Sequence, residues 1–286
     1  MEKHIFYNGY FYPEDTKLLT VLDRGLNFGD GLFELIRCID GQFLLFERHI
    51  KRMQKSAGFL QIPFTYKHDV LLESARKLAR INKIKDGELY VEITRGEAPR
   101  YHQFPRNTVP NLFMVLNPLR EMPADCWTKG VAAITFPDIR WGYCHLKTIN
   151  LLPNVLAKQM AKQSGAYEAF FMRGDEQGTY LTEGSSSSIF AVMNRIIVTP
   201  SLENILPGVT RSSVIGIARE VGLSVEERRL YIVECKKADE VFLTSTVSEV
   251  MPVVHINKKK IGKGTPGSIT LKLQTLYRSF MKSYLV

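Results

Sequence analysis

Along the first hundred residues the apolar positions switch between the two-residue period of strands and the wider period of helices. Ile5 to Phe11 and Thr16 to Leu22 are predicted as short strands, and Leu32 to Ile39 as a longer one. Asp40-Gly41 is a strong hairpin turn, after which Gln42 to Leu45 returns as the next strand. Phe46 to Gly58 reads as a helix, with Ile50, Met53 and Ala57 on one face and Arg48, Lys51, Arg52 and Lys55 largely on others. A second helix is predicted from Lys67 to Asn82, its core side formed by Leu71, Leu72, Ala75, Leu78 and Ala79. Leu89 to Thr94 and Asn111 to Leu116 are predicted strands, with a loop from Arg95 to Pro105 between them.

Asn117 to Cys126, with two prolines and mixed charge, looks like a connector between domains. Beyond it come a strand from Gly130 to Phe136 and a helix running to Ser164, for which Pro153 suits the first turn. Glu168 to Met172 and Thr179 to Thr182 are predicted to pair as a hairpin around Gly174 to Gly178. Ile189 to Met193, Ile196 to Thr199, Val241 to Leu243 and Val250 to Ile256 are further strands, and Gly267 to Tyr284 is an amphipathic helix. Another helix is predicted from about Arg211 to Val221, with Thr210 as its N-cap and its first-turn N–H groups open to an anion.

At 286 residues the chain is long enough for one large domain or two ordinary ones, and 45% hydrophobic with 23% charged residues is the balance of a globular protein. The N-terminal residues hold no apolar run of signal-peptide length, and no later stretch approaches a membrane span, so a cytoplasmic protein is expected. Cys38, Cys126, Cys144 and Cys235 are far apart and form no C-x-x-C pair, which argues against a zinc site or a disulfide framework. The net charge of +9 is dispersed. Its densest group, Lys258-Lys259-Lys260 with Lys263, falls in a hairpin-like segment without an aromatic stacking run, which argues against a nucleic-acid partner.

Three stretches carry candidate chemistry. Lys147 follows an extended segment and precedes a helix start; a lysine fixed there can be partly desolvated and supply the neutral amine of a Schiff base. Arg100 and His102, bracketed by Gly96, Pro99 and Pro105, stand at i and i+2, so on an extended segment they point the same way and can share one carboxylate. Glu183, followed by Gly184 and the serines Ser185 to Ser188, sets a carboxylate beside a small-residue loop, and Thr244-Ser245-Thr246 is a second hydroxyl cluster. The glycines Gly25, Gly29 and Gly31 precede a strand rather than a helix, so they allow tight turns and close backbone approach and are not a dinucleotide fingerprint.

Taken in order, Arg24-Gly25 with Phe28-Gly29-Asp30-Gly31, Arg52, Leu146-Lys147-Thr148, Thr182-Glu183-Gly184-Ser185-Ser186, Gly208-Val209-Thr210-Arg211 and Thr244-Ser245-Thr246 resemble the class IV, fold type IV, pyridoxal-phosphate aminotransferases. The run from Thr94-Arg95-Gly96 through Pro99-Arg100-Tyr101-His102-Gln103-Phe104-Pro105 is similar to the D-amino-acid (D-alanine) transaminases. The resemblance implies an α/β protein: a smaller α+β N-terminal domain (1–117), a linker (118–126) and a larger α/β C-terminal domain (127–286), with pyridoxal 5'-phosphate in the cleft between the domains. It implies that Lys147 carries the Schiff base, that Glu183 pairs with the pyridine nitrogen, that Arg52, Val209, Thr210, Ser245 and Thr246 hold the phosphate, and that Ser186 lies near the cofactor. Arg100 and His102 would trap the substrate carboxylate, reaching into the neighbouring subunit of a homodimer with shared active sites. The implied reaction moves the amino group of D-amino acids such as D-alanine to 2-oxo acids such as 2-oxoglutarate or pyruvate. Phe33 stands where those transaminases usually have a tyrosine, and losing one neutral hydrogen bond weakens a carboxylate about two- to tenfold. The alternatives within the fold are an (R)-amine or branched-chain L-amino-acid transaminase, or an aminodeoxychorismate lyase.

Overall fold

A computed structural model describes residues 2–120 and 122–286; Met1 and Glu121, the latter inside the expected linker, lie outside them. The chain forms two compact units. Unit 1 is Met1–Arg120, Leu146–Asn150 and Tyr284–Val286, and unit 2 is Glu121–His145 and Leu151–Ser283.

Unit 1 contains β1 (His4–Tyr7), β2 (Tyr10–Pro13), α1 (Arg24–Phe28), β3 (Gly31–Ile39), β4 (Gln42–Phe43), α2 (Phe46–Phe59), α3 (His68–Asn82), β5 (Gly87–Thr94) and β6 (Asn111–Pro118). Its strands make one antiparallel sheet in the order β2-β1-β6-β5-β3-β4. The stretch expected as one strand from Ile5 to Phe11 is a hairpin, because Asn8 (φ 46) and Gly9 (φ 97) take the left-handed turn that a two-residue connection requires. Thr16 to Leu22 is not a strand. Its backbone turns, with Asp23 N donating to Thr20 O, and Leu19, Val21 and Leu22 remain exposed, so its alternation has no core to face.

Alternation along the central strands sorts the sheet into two faces. Leu32, Ile36 and Cys38 of β3, Leu89, Val91 and Ile93 of β5, and Leu112, Met114 and Leu116 of β6 are buried in one core with Ile50, Met53 and Ala57 of α2 and Leu71, Ala75 and Leu78 of α3. Each such large apolar side chain contributes about 1.5–3 kcal/mol on burial. The opposite face carries Phe33, Leu35, Tyr90, Glu92 and Phe113, all half-buried.

Unit 2 contains α4 (Asp125–Thr128), β7 (Val131–Pro137), α5 (Leu152–Gln163), β8 (Glu168–Asp175), β9 (Gly178–Gly184), β10 (Ser188–Met193), β11 (Ile196–Thr199), α6 (Val209–Glu220), β12 (Val225–Glu227), β13 (Leu230–Tyr231), α7 (Ile232–Cys235), β14 (Glu240–Ser245), β15 (Glu249–Ile256), β16 (Lys259–Lys260) and α8 (Ser268–Ser283). Its mixed sheet runs β12-β11-β10-β14-β15-β7-β8-β9-β13, with β16 on β15. The lysine-rich segment is a hairpin, as expected, turning through Asn257 (φ 49) and Lys258 (φ 64). The N-cap of α6 is Gly208 and not Thr210: Gly208 is extended (φ −61, ψ 132) and the helix begins at Val209, which puts Thr210 inside the first turn. The segment before Lys147 is not extended either, since residues 142–145 form turns. Among the described residues no helix is long and apolar enough to cross a membrane.

Candidate active site

Lys147 owes its fixed position to β3 and not to a strand of its own. Phe33 N donates to Lys147 O (2.9 Å), Ile149 N donates to Gly31 O (3.2 Å), and Leu32 forms a bridge with Thr148. Two glycines make that approach possible. A Cβ on Gly29, whose φ is 66, would stand 2.3 Å from Asn150 Oδ1, and one on Gly31 would stand 2.8 Å from Ile93 O. Lys147 Nζ then rests 4.1 Å from the centroid of the Phe33 ring. Phe33 stacks on Tyr90 at 5.6 Å, and Tyr90 leans on Phe113 at 6.2 Å, so the amine sits over a wall of aromatic rings.

Behind that wall, on the helix side of the sheet, Arg52 uses its fork on Glu34, with Nε donating to Oε1 and Nη2 to Oε2, both at 2.7 Å. His49 Nδ1 lies 2.7 Å from Glu34 Oε2. Burial opposes ionisation of Glu34, but Arg52 and His49 outweigh it and bring the carboxyl down to about 2. The same burial lowers the pKa of His49, against the pull of Glu34. A depressed carboxyl contributes stability above its unfolded pKa and loses it as pH falls toward the folded value, here on the order of 3 kcal/mol between about pH 4.5 and 2. Urea midpoints of the native protein should therefore drop between pH 5 and 3, and Glu34→Gln should flatten that dependence; an unchanged slope would refute the assignment.

The loop bearing Arg100 and His102 is anchored by another buried charge cluster. Arg24 and Arg95 both bind Asp30, through Nε at 2.8 and 2.7 Å respectively. Arg24 also donates to Tyr101 O (2.7 Å) and His102 O (3.4 Å), and Arg95 donates to Leu60 O and Gln61 O. Arg100 lies 5.0 Å from the Phe28 ring centroid and His102 lies 5.5 Å from it. The two side chains are thus brought together, but by bends around Phe28 and not by an extended segment.

In unit 2, Glu183 is buried at the end of β9. Arg140 Nη1 donates to its Oε1, and Leu206 N lies 3.2 Å from Oε2. Arg140 also binds Asp138 through Nε (2.9 Å) and Nη2 (3.0 Å), while Thr182 and Arg173 each donate to Asp138 at 3.0 Å. Burial pushes the Glu183 carboxyl up, against Arg140, and Asp138 adds to the rise. A cationic N–H presented to Glu183 would relieve that penalty.

The serine run turns inward. Ser185, Ser186 and Ser187 all donate to the buried carboxylate of Glu168, the latter two at 3.0 Å, and Ala169 N adds a bond of 2.9 Å. Ser186 in this arrangement fastens the loop after Glu183 instead of pointing a free hydroxyl at a ligand. A hydroxyl and N–H cradle exists elsewhere in the unit. The N-cap of α6, Gly208, provides no side-chain hydrogen bond, so the first-turn N–H groups at Val209 and Thr210 lack a side-chain cap. A Cβ on Gly208 would come within 3.0 Å of Ser188 Oγ, and Ser188 pairs in register with Thr244, whose buried hydroxyl has no partner among the described residues. Ser245 Oγ donates to Ser248 Oγ (2.9 Å), and half-buried Thr246 sits in the turn that follows. An orphaned hydroxyl and an uncapped helix of 12 residues suit a phosphate.

Sequence reasoning passed over Glu34, His49, Asp138, Arg140 and Glu168, and gave Asp30 no partner. Several of the partners stand far apart along the chain, by 43 positions for Arg140 and Glu183 and by 65 for Arg95 and Asp30. Their available signal was an acidic residue inside an apolar strand pattern, as with Glu34 in β3.

The geometry has counterparts among known proteins. A profile of the amino-transferase class IV family matches residues 31–256. The D-alanine aminotransferase of Bacillus licheniformis is 37% identical over 280 residues, covering 98% of this chain and 97% of that protein. The D-alanine aminotransferase of Staphylococcus aureus (strain N315) is 36% identical over 285 residues, 99% of each. Among solved structures, the Escherichia coli branched-chain amino acid aminotransferase matches with a TM-score of 0.90 at 25% identity, over 98% of this chain and 95% of that one. A second branched-chain amino acid aminotransferase, solved with pyridoxamine 5'-phosphate, matches with a TM-score of 0.89 at 28% identity, over 100% of this chain and 98% of that one.

Proposed function

The chain belongs to the class IV aminotransferases, and from that membership we propose that it is a pyridoxal-phosphate-dependent transaminase of D-amino acids, moving the amino group of substrates such as D-alanine to 2-oxo acids. The carrying observation is the likeness to D-alanine aminotransferases, at 36–37% identity over nearly the whole chain. The branched-chain enzymes it matches in fold lie at 25% and 28%.

When bound, pyridoxal phosphate supplies an electrophilic carbonyl and a ring that takes up electrons. Lys147 Nζ is the amine that anchors it and then carries the proton away from the substrate Cα, as base and afterwards as acid. Glu183, oriented by Arg140 and Leu206 N, holds a proton on the pyridine nitrogen. The first turn of α6, with Val209 and Thr210, and the hydroxyls of Ser245 and Thr246 bind the phosphate; Arg52 supports this end, its fork in the present arrangement given to Glu34. Ser186 secures the loop beside Glu183. Arg100 and His102 hold the α-carboxylate, facing Phe33 in a homodimer in which each subunit lends this pair to its partner. The cysteines are free thiols in this structure, which supports a reducing, cytoplasmic setting.

The test is the cofactor absorbance of purified protein on separate addition of D-alanine, L-leucine and an (R)-aryl amine. D-Alanine is expected to give the fast change. In Arg100→Ala that response should fall by roughly two orders of magnitude, as for loss of a charge-assisted pair, and the amine response far less. A fast response to L-leucine instead would refute the D-specific reading.

A further inference from the structure

Ser245, one of the hydroxyls read as holding the cofactor phosphate, is itself held by two others. The turn from β14 into β15 folds Ser248 back on it: Ser248 N donates to Ser245 Oγ (2.9 Å), and the two hydroxyl oxygens are also 2.9 Å apart. Ser248 Oγ in turn lies 2.8 Å from the hydroxyl of Tyr167, the residue immediately before β8. The hydroxyls of half-buried Tyr167, buried Ser248 and half-buried Ser245 therefore stand in one file.

Both inner members are fixed from outside the file. Trp127 Nε1 donates to Ser248 O (3.1 Å). Lys158 Nζ donates to Tyr167 O (2.8 Å) and rests 4.7 Å from the centroid of the tyrosine ring. Met122 Sδ, 3.2 Å from the Tyr167 hydroxyl, is a thioether and a weak acceptor beside a serine oxygen. Each hydroxyl has one proton, so the file can point in only two directions. In the present arrangement Ser245 gives its proton to Ser248. An anionic acceptor at Ser245 reverses the direction: Ser245 donates to the anion, Ser248 to Ser245, and Tyr167 to Ser248. In that sense Ser245 Oγ accepts from both the N–H and the hydroxyl of Ser248, and the phenol, the most acidic of the three, heads the line. Hydroxyls in series polarise one another, so the last donates more strongly than a lone serine.

We propose that Tyr167 and Ser248 are positioning residues for the cofactor phosphate: Tyr167, acting through Ser248, turns the Ser245 hydroxyl toward it. This role rests on the reading of Ser245 as a phosphate ligand. The gain exists only for a ligand with an anionic group at that end, so it separates the phosphorylated cofactor from the same ring without its phosphate. Because Tyr167 reaches Ser245 only by way of Ser248, the two contributions are in series and not independent.

Dissociation constants of pyridoxal 5'-phosphate and of 5'-deoxypyridoxal, the same aldehyde without the phosphate, are measured on the full-length chain from the imine absorbance. Tyr167→Phe, which keeps the ring against Lys158, and Ser248→Ala are each expected to weaken pyridoxal 5'-phosphate about three- to tenfold, as for one hydrogen bond, and 5'-deoxypyridoxal by less than about twofold. Tyr167→Phe added to Ser248→Ala should change nothing further, and Ser248→Thr, which keeps a hydroxyl, should retain the native affinity. Tyr167→Phe that weakens neither ligand, or both equally, in protein with the native thermal transition would overturn the proposal. So would a double variant in which the two single effects multiply. Ser245→Ala checks the underlying reading separately: unchanged affinity for pyridoxal 5'-phosphate in that variant would mean that Ser245 is no phosphate ligand, and the roles of Tyr167 and Ser248 would fall with it.

Discussion

Lys147→Ala is expected to lower turnover of D-alanine by roughly 10⁴-fold or more, because in the proposed role one side chain serves both as covalent anchor and as proton carrier. Unit 1 should survive the change: the backbone bonds between residues 147–149 and β3 and the bond from Asn150 to Gly29 O do not depend on the lysine side chain, whose contact with the Phe33 ring is lost. The variant should therefore keep its thermal transition and retain the cofactor through the phosphate cradle, while losing turnover. Borohydride should fix the cofactor covalently to the native chain and leave it removable from the variant. Near-native turnover, or a covalent adduct on another residue, would take Lys147 out of the chemistry.

Arg140→Met is expected to destabilise unit 2 by about 3–5 kcal/mol, because it leaves the buried Glu183 carboxylate without its cation and takes one of two guanidinium partners from Asp138. Arg140 packs its guanidinium 4.3 Å from the Phe171 ring centroid, so methionine fills much of the volume and the loss is electrostatic. Urea denaturation should show the drop, and adding Glu183→Gln should restore part of it by removing the stranded charge. Activity should fall as well, since Glu183 without Arg140 is driven further toward its neutral form and cannot hold a pyridinium proton. A loss of stability below about 1 kcal/mol would mean that water reaches the cluster and that the pair behaves like a surface ion pair.

The long elements were legible because their pattern and their burial agree. Predicted Phe46 to Gly58 and Lys67 to Asn82 match α2 and α3 to within a residue or so at each end, since an apolar stripe at helical spacing leaves few alternatives. Thr16 to Leu22 failed for the opposite reason: it has the alternation of a strand but no sheet neighbour and no core, and periodicity alone cannot report that. Thr210 was misjudged as a cap because threonine is a good N-cap in general, whereas Gly208 is the residue whose backbone is extended. Motif order singled out Lys147, Glu183, Arg100 and His102 as candidates. The pairings around them were hidden: Arg24, Asp30 and Arg95 stood in the motifs without partners, and they, Asp138, Arg140 and Glu168 act through buried ion pairs or hydrogen bonds that mostly form only after the strands have paired. The serine run shows the limit most clearly, because its composition suggested donors for a ligand and three of its four hydroxyls turned instead to Glu168.

Unit 1 is assembled from three separated pieces of chain, and the last of them lies along β4, where Phe43 N donates to Val286 O (2.7 Å) and Leu45 N to Tyr284 O (3.2 Å). During synthesis the strand bearing Phe33 leaves the ribosome first, the segment bearing Lys147 more than a hundred residues later, and the piece that closes the β4 edge after all of unit 2. A nascent chain therefore carries an unfinished sheet with an open border until elongation has passed residue 286. Ribosome-stalled fragments ending before Tyr284 should consequently be more protease-sensitive in the first 120 residues than the released protein, with the Lys147 segment among the late arrivals to a scaffold laid down early.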